Sequence, residues 1–358
     1  MATIPPTEND IISDYGNSSA PYDAGNFITV LSVSVQILLI IVIFCGNFLV
    51  TALVCKFERL HTPSNFFVAN MAIGDIIVSL GMMPGVVITF NPYLLANRYF
   101  CLLLWCTQLL GSSISCLSLL SLTVDRYLKI TRPLRFVTLV TMRRVGIVIA
   151  SIWAYTFTMT IILPFAGVTQ QFQLCFDFTS VFNLIHIQVY LVTCGLITFV
   201  IMFICYAVIF KVVLEKSKDM KSTEIAMANA KRRNKEESTS TAEGKGSKNR
   251  RPSMIKPWVR RQIKSLKTLV IVIGLTAVAW IPIDVVLFKE IYNPDYRATL
   301  TLRTILSWFT YFNSAANPFI YAFRSPEFRV SIRQAVRLFW QADENRGKST
   351  KQPTVDIL

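Results

Sequence analysis

The stretch FCLLLWCTQLLGSSISCLSLLSLTVDRY, residues 100–127, carries no charge until Asp125 and Arg126, which stand beside Tyr127 at its end. A helix that crosses a bilayer needs about 20 predominantly apolar residues, and 100–122 meets that length. Six further stretches do the same: 28–55, 64–90, 145–165, 182–213, 263–288 and 300–323. Composition agrees, with 53% hydrophobic and 16% charged residues and a mean hydropathy of +0.48, where soluble domains carry about a quarter charged. The sequence therefore predicts an all-α membrane protein built as a seven-transmembrane helix bundle.

Orientation follows from Lys and Arg, which collect in loops retained on the cytoplasmic side. Of 36 such residues, 32 fall in the first, third and fifth connections and the C-terminal tail; the others are Arg98, Lys289, Arg297 and Arg303. The N-terminus is expected outside and the C-terminus inside. A formal charge of +15 distributed this way points to anionic inner-leaflet lipid rather than nucleic acid as partner. The scheme is an extracellular tail 1–27, a seven-span bundle 28–323, an amphipathic helix 324–340 and a cytoplasmic tail 341–358. Residues 1–14 lack the apolar core of a signal peptide, so the first span is expected to serve as the insertion signal.

Within the outer tail, Asn17-Ser18-Ser19 matches the N-glycosylation pattern, which also arises by chance. Cys45, Cys55, Cys106, Cys116, Cys194 and Cys205 lie in spans and read as small packing residues. Cys101 and Cys175 lie on the oxidising side, where a bridge between them is expected. The inner segment 214–261 has a composition too polar for a packed core; it is expected to be largely disordered, with its ends extending spans five and six. Arg250-Arg251-Pro252-Ser253 reads either as a phosphorylation site at Ser253 or as an unmodified linker. After span seven, Phe328, Ile332, Val336 and Phe339 alternate with Arg329, Arg333 and Arg337, the pattern of a helix lying on the inner leaflet.

An ordered set of residues then carries a resemblance: Gly46-Asn47, Asp75, Cys101, Asp125-Arg126-Tyr127, Trp153, Cys175, Tyr206, Trp280-Ile281-Pro282, Asn317-Pro318 through Tyr321, and Phe328. The chain resembles the rhodopsin-like class of G-protein-coupled receptors from the first span to the helix after the seventh. The resemblance implies a small extracellular ligand, a heterotrimeric G protein as partner, modulation of cyclic AMP, and arrestin and receptor kinases as further partners. It also implies an activation switch formed by Asp125, Arg126, Tyr127, Tyr206, Trp280, Pro282, Asn317, Pro318 and Tyr321. Arg126 would be held by Asp125 while the inner face is closed, then freed to meet the G protein together with Leu134, Lys264 and Lys267. Many relatives lock this arginine with an acid; Gln262 stands there instead, so measurable ligand-free activity is expected.

Asp75 is an ionisable group near mid-membrane, costly unless it finds a partner. Asn47, Ser115, Asn313 and Asn317 could turn toward it. The resemblance implies a sodium ion held by Asp75 and Ser115, with Asn313 and Asn317 nearby; the other reading is a protonated Asp75 bonded to Asn47 and Asn317. Thr198 and Thr276 replace the Pro and Phe that relatives place around Ile114, so a less kinked span five is expected, while Pro282 should kink span six.

For the ligand, helical spacing groups Gln108 with Ser112 and Ser115, Trp280 with Asp284 and Leu287, and Ser307 with Tyr311. By analogy with the family these faces line the outer pocket, with Tyr190, His186 and the loop residue Phe176 close by. Tyr311 stands where opsins need a Schiff-base lysine, which excludes retinal photochemistry of that kind. Gln108 stands where amine receptors place an aspartate. Several motifs look most like adenosine receptors, yet Leu287 replaces the asparagine that reads the purine. Asp284 could instead hold a cationic group, could form a salt bridge with Arg303 or Lys289, or could simply be solvated in a wet cavity.

No nucleophile and base are recognisably paired, so no enzyme activity is expected, and no cofactor beyond the sodium ion. Two alternatives stay open. One is a transporter or channel using Asp75 and Asp284 as an ion path, although no internal repeat is seen. The other is a non-signalling homologue acting as a dimer partner.

Overall fold

A computed structural model of the chain describes residues 27–91, 93–94, 97–166, 182–238, 255–293, 296 and 299–349. Among them every regular element is helical. The spans are α1 (Phe27–Lys56), α2 (Pro63–Phe90) and α3 (Arg98–Thr131). Next, α4 starts as Met142–Phe157 and continues through a π-helical stretch, Thr158–Ile162, to a last turn, Leu163–Ala166. In the same way α5 is Leu184–Tyr190, a π-helical stretch Leu191–Ile197, and Thr198–Ser238. The set closes with α6 (Ile255–Tyr292), α7 (Leu300–Arg324) and α8 (Pro326–Ser349).

Helix starts are written locally. Side chains of Thr62, Asn97, Thr141, Asn183 and Thr299 accept hydrogen bonds from free backbone N–H groups at the starts of α2, α3, α4, α5 and α7, which satisfies donors a helix leaves orphaned. Six helices of the described residues are long and apolar enough to cross a membrane. The seventh, α7, is not among them, because its buried face carries Thr310, Ser314 and Asn317. The exterior is apolar instead: Phe203, Phe210 and Val278 are each more than 60% exposed. In water such a surface would be costly; against lipid tails it is the expected one.

The tightest contact lies between α2 and α3. A Cβ on Gly111 would sit 2.7 Å from the Gly74 carbonyl oxygen and from Val78 N, and one on Gly74 would sit 2.8 Å from Gly111 O and Ser115 N. Two glycines facing each other thus let the backbones touch, the small-residue packing that membrane helices use. Gly46 plays a similar part beneath Pro318 of α7, where a Cβ would meet Pro318 Cγ at 2.8 Å.

Three expectations change. In segment 214–261, α5 runs helically to Ser238 and α6 starts at Ile255, so only 239–254 of it lie outside the described residues. Span five, which lacks proline, carries a π-helical stretch that the sequence does not suggest, and beside it the Thr198 hydroxyl donates to the Thr193 carbonyl five residues back (2.9 Å). The helix after span seven is longer than expected, reaching Ser349. It docks by Phe328, which is buried against Tyr321 at 6.0 Å between ring centroids, and by Ser331, which accepts from Arg59 Nε at 3.0 Å.

Candidate functional site

Asp75 is fully buried. Its Oδ1 accepts from the hydroxyls of Ser115 (2.9 Å) and Ser314 (2.8 Å), and Oδ2 accepts from Asn317 Nδ2 (2.8 Å). Of the four residues the sequence proposes around it, Ser115 and Asn317 converge and two do not. Asn47 donates to the carbonyls of Ile43 and Ser314, and Asn313 Oδ1 instead accepts from Thr276 (3.1 Å). Ser314 was missed; its position three residues before Asn317 puts both on one helical face. Asn47 Oδ1 is buried without a partner. A cavity of about 10 Å³ beside the cluster is lined by Ser115, Asn313, Ser314 and Asn317, about the room of a single water.

At the Asp125 end of the bundle the expected pair is not formed. Asp125 Oδ2 accepts from Ser64 Oγ at 2.6 Å, and its other oxygen is buried without a partner. Arg126 is half-buried and makes no hydrogen bond or ion pair among the described residues. A serine hydroxyl from α2 has taken the carboxylate that the sequence assigned to the arginine. Tyr206 OH is buried without a partner, while Tyr321 OH lies 3.8 Å from Met71 Sδ. Leu134 stands on a short helix, Pro133–Leu139, and is 91% exposed. Lys264, Lys267 and Gln262 fall on α6, where the structure describes only their backbone.

At the opposite end Gln108 Nε2 donates to Tyr311 OH (3.2 Å), joining α3 to α7. Ser112 is buried, and Ser113 beside it donates to the buried Tyr190 OH (3.0 Å). Leu287 packs against the apolar cluster around Tyr190 and Leu191. Ser307 and Trp280 are half-buried. Trp280 lies between the small cavity near Asn317 and another, of about 20 Å³, lined by Ser112, Tyr190, Cys194, Gly195 and Asp284. His186 is turned away, its Nε2 on the Met159 carbonyl and its ring 5.5 Å from that of Phe182. Cys101 is disulfide-bonded and the six span cysteines are free. Asn17, Cys175, Phe176 and Ser253 lie outside the described residues.

Asp284 differs from the buried acids Asp75, Asp125 and Glu290, each of which has a side-chain partner. It makes no hydrogen bond and no ion pair among the described residues. The salt bridges considered for it are not formed: Arg303 pairs with the buried Glu290 at 2.7 Å, and Lys289 Nζ lies 5.1 Å from the centre of the Tyr296 ring. The Asp284 carboxylate faces the π-helical stretch of α5, where a Cβ on Gly195 would come within 3.3 Å of its Oδ2. It also lines a cleft of about 750 Å³ between α5 and α6, which is otherwise nearly all apolar.

Residues 46–321 match the family model described as 7 transmembrane receptor (rhodopsin family). That is most of the chain, and the protein belongs to this family of membrane receptors, which are not enzymes. Among similar proteins are the human adenosine receptor A2b, 27% identical over 91% of this chain and 97% of the relative. The rat trace amine-associated receptor 8b is 29% identical over 81% of each. The mouse trace amine-associated receptor 4 is 26% identical over 89% of each. The chain is thus a multi-pass membrane receptor of the adenosine and biogenic-amine branch.

Proposed function

We propose that the protein binds a small cationic ligand at Asp284 and passes the signal to a heterotrimeric G protein through Arg126, changing cyclic AMP in the cell. The observation that carries this reading is Asp284 itself. A half-buried acid that faces a nearly all apolar cleft and has no partner is costly, and a bound ammonium would supply the missing charge. Gln108, Ser112, Tyr190, Trp280, Leu287, Ser307 and Tyr311 surround the same end of the bundle and would shape the remainder of the pocket. Relatives named for trace amines favour an amine over a nucleoside, as does Leu287, whose side chain cannot form the paired hydrogen bond that a purine needs.

The N-terminus would face the outside of the plasma membrane and the basic loops the inside. There the unpaired Arg126, the protruding Leu134, Lys264 and Lys267 would receive the G protein. The Asp75 cluster offers carboxylate, hydroxyl and amide oxygens, together with the orphaned oxygen of Asn47, a set of hard ligands that suits sodium. Asp75 and Ser115 would hold the ion and thereby tie α2 to α3, favouring the closed arrangement. A ligand moves this equilibrium only by binding one arrangement more tightly than the other.

The test is cyclic AMP in cells expressing the chain, challenged with a panel of amines and nucleosides. An amine response that is abolished by Arg126→Ala and weakened at least about tenfold in potency by Asp284→Asn is expected, a loss of about 1.4 kcal/mol. Without ligand, signalling above that of mock-transfected cells is expected, because Gln262 offers Arg126 no charge. A nucleoside response indifferent to Asp284→Asn would overturn the amine reading.

A further inference from the structure

The cleft that Asp284 lines is not on the bundle axis. It runs between α5 and α6 from Gln188 and Tyr292 at one end to Tyr206 at the other, and its walls include Phe203, Ile281 and Val285, which are 76%, 48% and 53% exposed on the bundle's flank. It therefore opens sideways, toward the lipid. On the other side of the carboxylate lies the cavity of about 20 Å³ bordered by Ser112 and Tyr190. Leu191, Gly195, Phe199 and Asp284 line both spaces, so Asp284 stands at their junction. The inner space holds about one water-sized group; the outer one has the volume of a ligand pocket.

We propose that the gap between α5 and α6 is the tail channel of the ligand site and admits a single-tailed primary alkylamine from the bilayer. This rests on the reading of Asp284 as the ammonium partner. The ammonium sits on Asp284, its N–H donors reaching into the small cavity bordered by Ser112, Ser113 and Tyr190, and the alkyl chain lies along the apolar walls toward Ile273. From Asp284 to Ile273 is about 16 Å along α6 at 1.5 Å per residue, room for roughly a dozen methylenes. The small inner cavity selects a primary ammonium over a quaternary one. Charge complementarity identifies this occupant over a neighbouring apolar helix, which would leave the carboxylate unpaired.

The test uses the full chain in phospholipid nanodiscs and a dodecylamine carrying a diazirine at its tail end. Photolabelling is expected to concentrate on α5 and α6 near Phe203 and Ile273. It should fall about tenfold in Asp284→Asn, which removes the charge, and in Ala277→Trp, which fills the channel below it. Ile281→Trp repeats the filling on a more exposed wall between Asp284 and Ala277 in case Ala277→Trp does not fold. Label spread evenly over the lipid-facing helices, label on α3 and α7, or label unchanged by both channel-filling variants would overturn the proposal. So would loss of label on placing two copies in one disc, which would make the gap a seam between copies. Butylamine separates the two levels: thermal protection of the wild type but not of Asp284→Asn keeps the ammonium reading even where the channel fails. Equal protection of both, or of neither, removes the ammonium reading itself.

Discussion

Two seams of the bundle each hold an acid, buried in one and half-buried in the other, and they are built in opposite ways. Between α2 and α3, Gly74 and Gly111 bring the backbones so close that a single Cβ would meet backbone atoms at 2.7–2.8 Å, and Asp75 beside them accepts three hydrogen bonds. Between α5 and α6 a cleft of about 750 Å³ separates the helices, and the acid that faces it, Asp284, accepts none. An acid enclosed by donors fixes the relative positions of the helices that supply them. One beside a gap is available to a cation from outside. The same side chain therefore belongs to the scaffold in one seam and to recognition in the other.

The largest expected effect breaks the closed seam. Gly111→Leu adds not only a Cβ where backbone already stands but a branched side chain beyond it, and overpacking of this kind has no flexible neighbour to displace. Receptor at the cell surface should fall to background, measured by labelling of intact cells. Gly195→Ala in the open seam meets only the Asp284 carboxylate at 3.3 Å, a flexible end, and surface labelling should stay near the wild-type level. Equal loss in both would mean that the two seams tolerate bulk alike.

Next in size is a change of sign. Asp75→Leu strands the donors of Ser115, Ser314 and Asn317, each bond to a charged group being worth about 1.5–3 kcal/mol; the unfolding midpoint of the purified protein should drop by about 10 °C or more. Asp284→Leu removes a half-buried acid that has no partner, so its midpoint should hold or rise, as relief of an unpaired polar group predicts. Two falls of similar size would show that Asp284 is satisfied as Asp75 is. A smaller companion effect follows if sodium binds: replacing potassium by sodium should raise the wild-type midpoint by mass action, and Asp75→Asn should abolish the difference.

How much of this is legible in the sequence depends on what each feature needs. Seven spans follow from apolar length alone, including α7, whose polar residues keep it below the apolarity of its six neighbours. Asp75 and two of its partners could be read, since Ser115 and Asn317 project from fixed helical positions. Ser314 shares a helical face with Asn317, but so does Asn313, and which of the two reaches Asp75 depends on the rotation of α7 against α2, which no local pattern states. Asp284 was visible as an oddity, but its lack of a partner was not. That follows from Arg303 turning to Glu290 and from the irregular turns of α5 around Gly195. The same holds at Asp125, where Ser64 lies 61 residues away in sequence yet bonds the carboxylate.

The smallest expected effect concerns what holds α6 while its α5 side stands open. The buried Thr276 hydroxyl lies 2.9 Å from its own helix at the Val272 carbonyl and 3.1 Å from Asn313 Oδ1 on α7, so one proton is shared between an internal and a cross-helix acceptor. Thr276→Val keeps the volume and removes the tie. About 1 kcal/mol is at stake for a bond of this kind, enough to change a two-state population by roughly fivefold. Because α6 has a gap on its other flank, that loss should appear less as unfolding than as freedom of α6 to move. Ligand-free cyclic AMP signalling should shift away from the mock level by a few-fold while the unfolding midpoint moves by only about 2–4 °C. A midpoint shift with unchanged ligand-free signalling would assign the bond to the scaffold. No change in either would mean that apolar packing on α7 alone positions α6, and that the open seam imposes no demand for a polar tie opposite it.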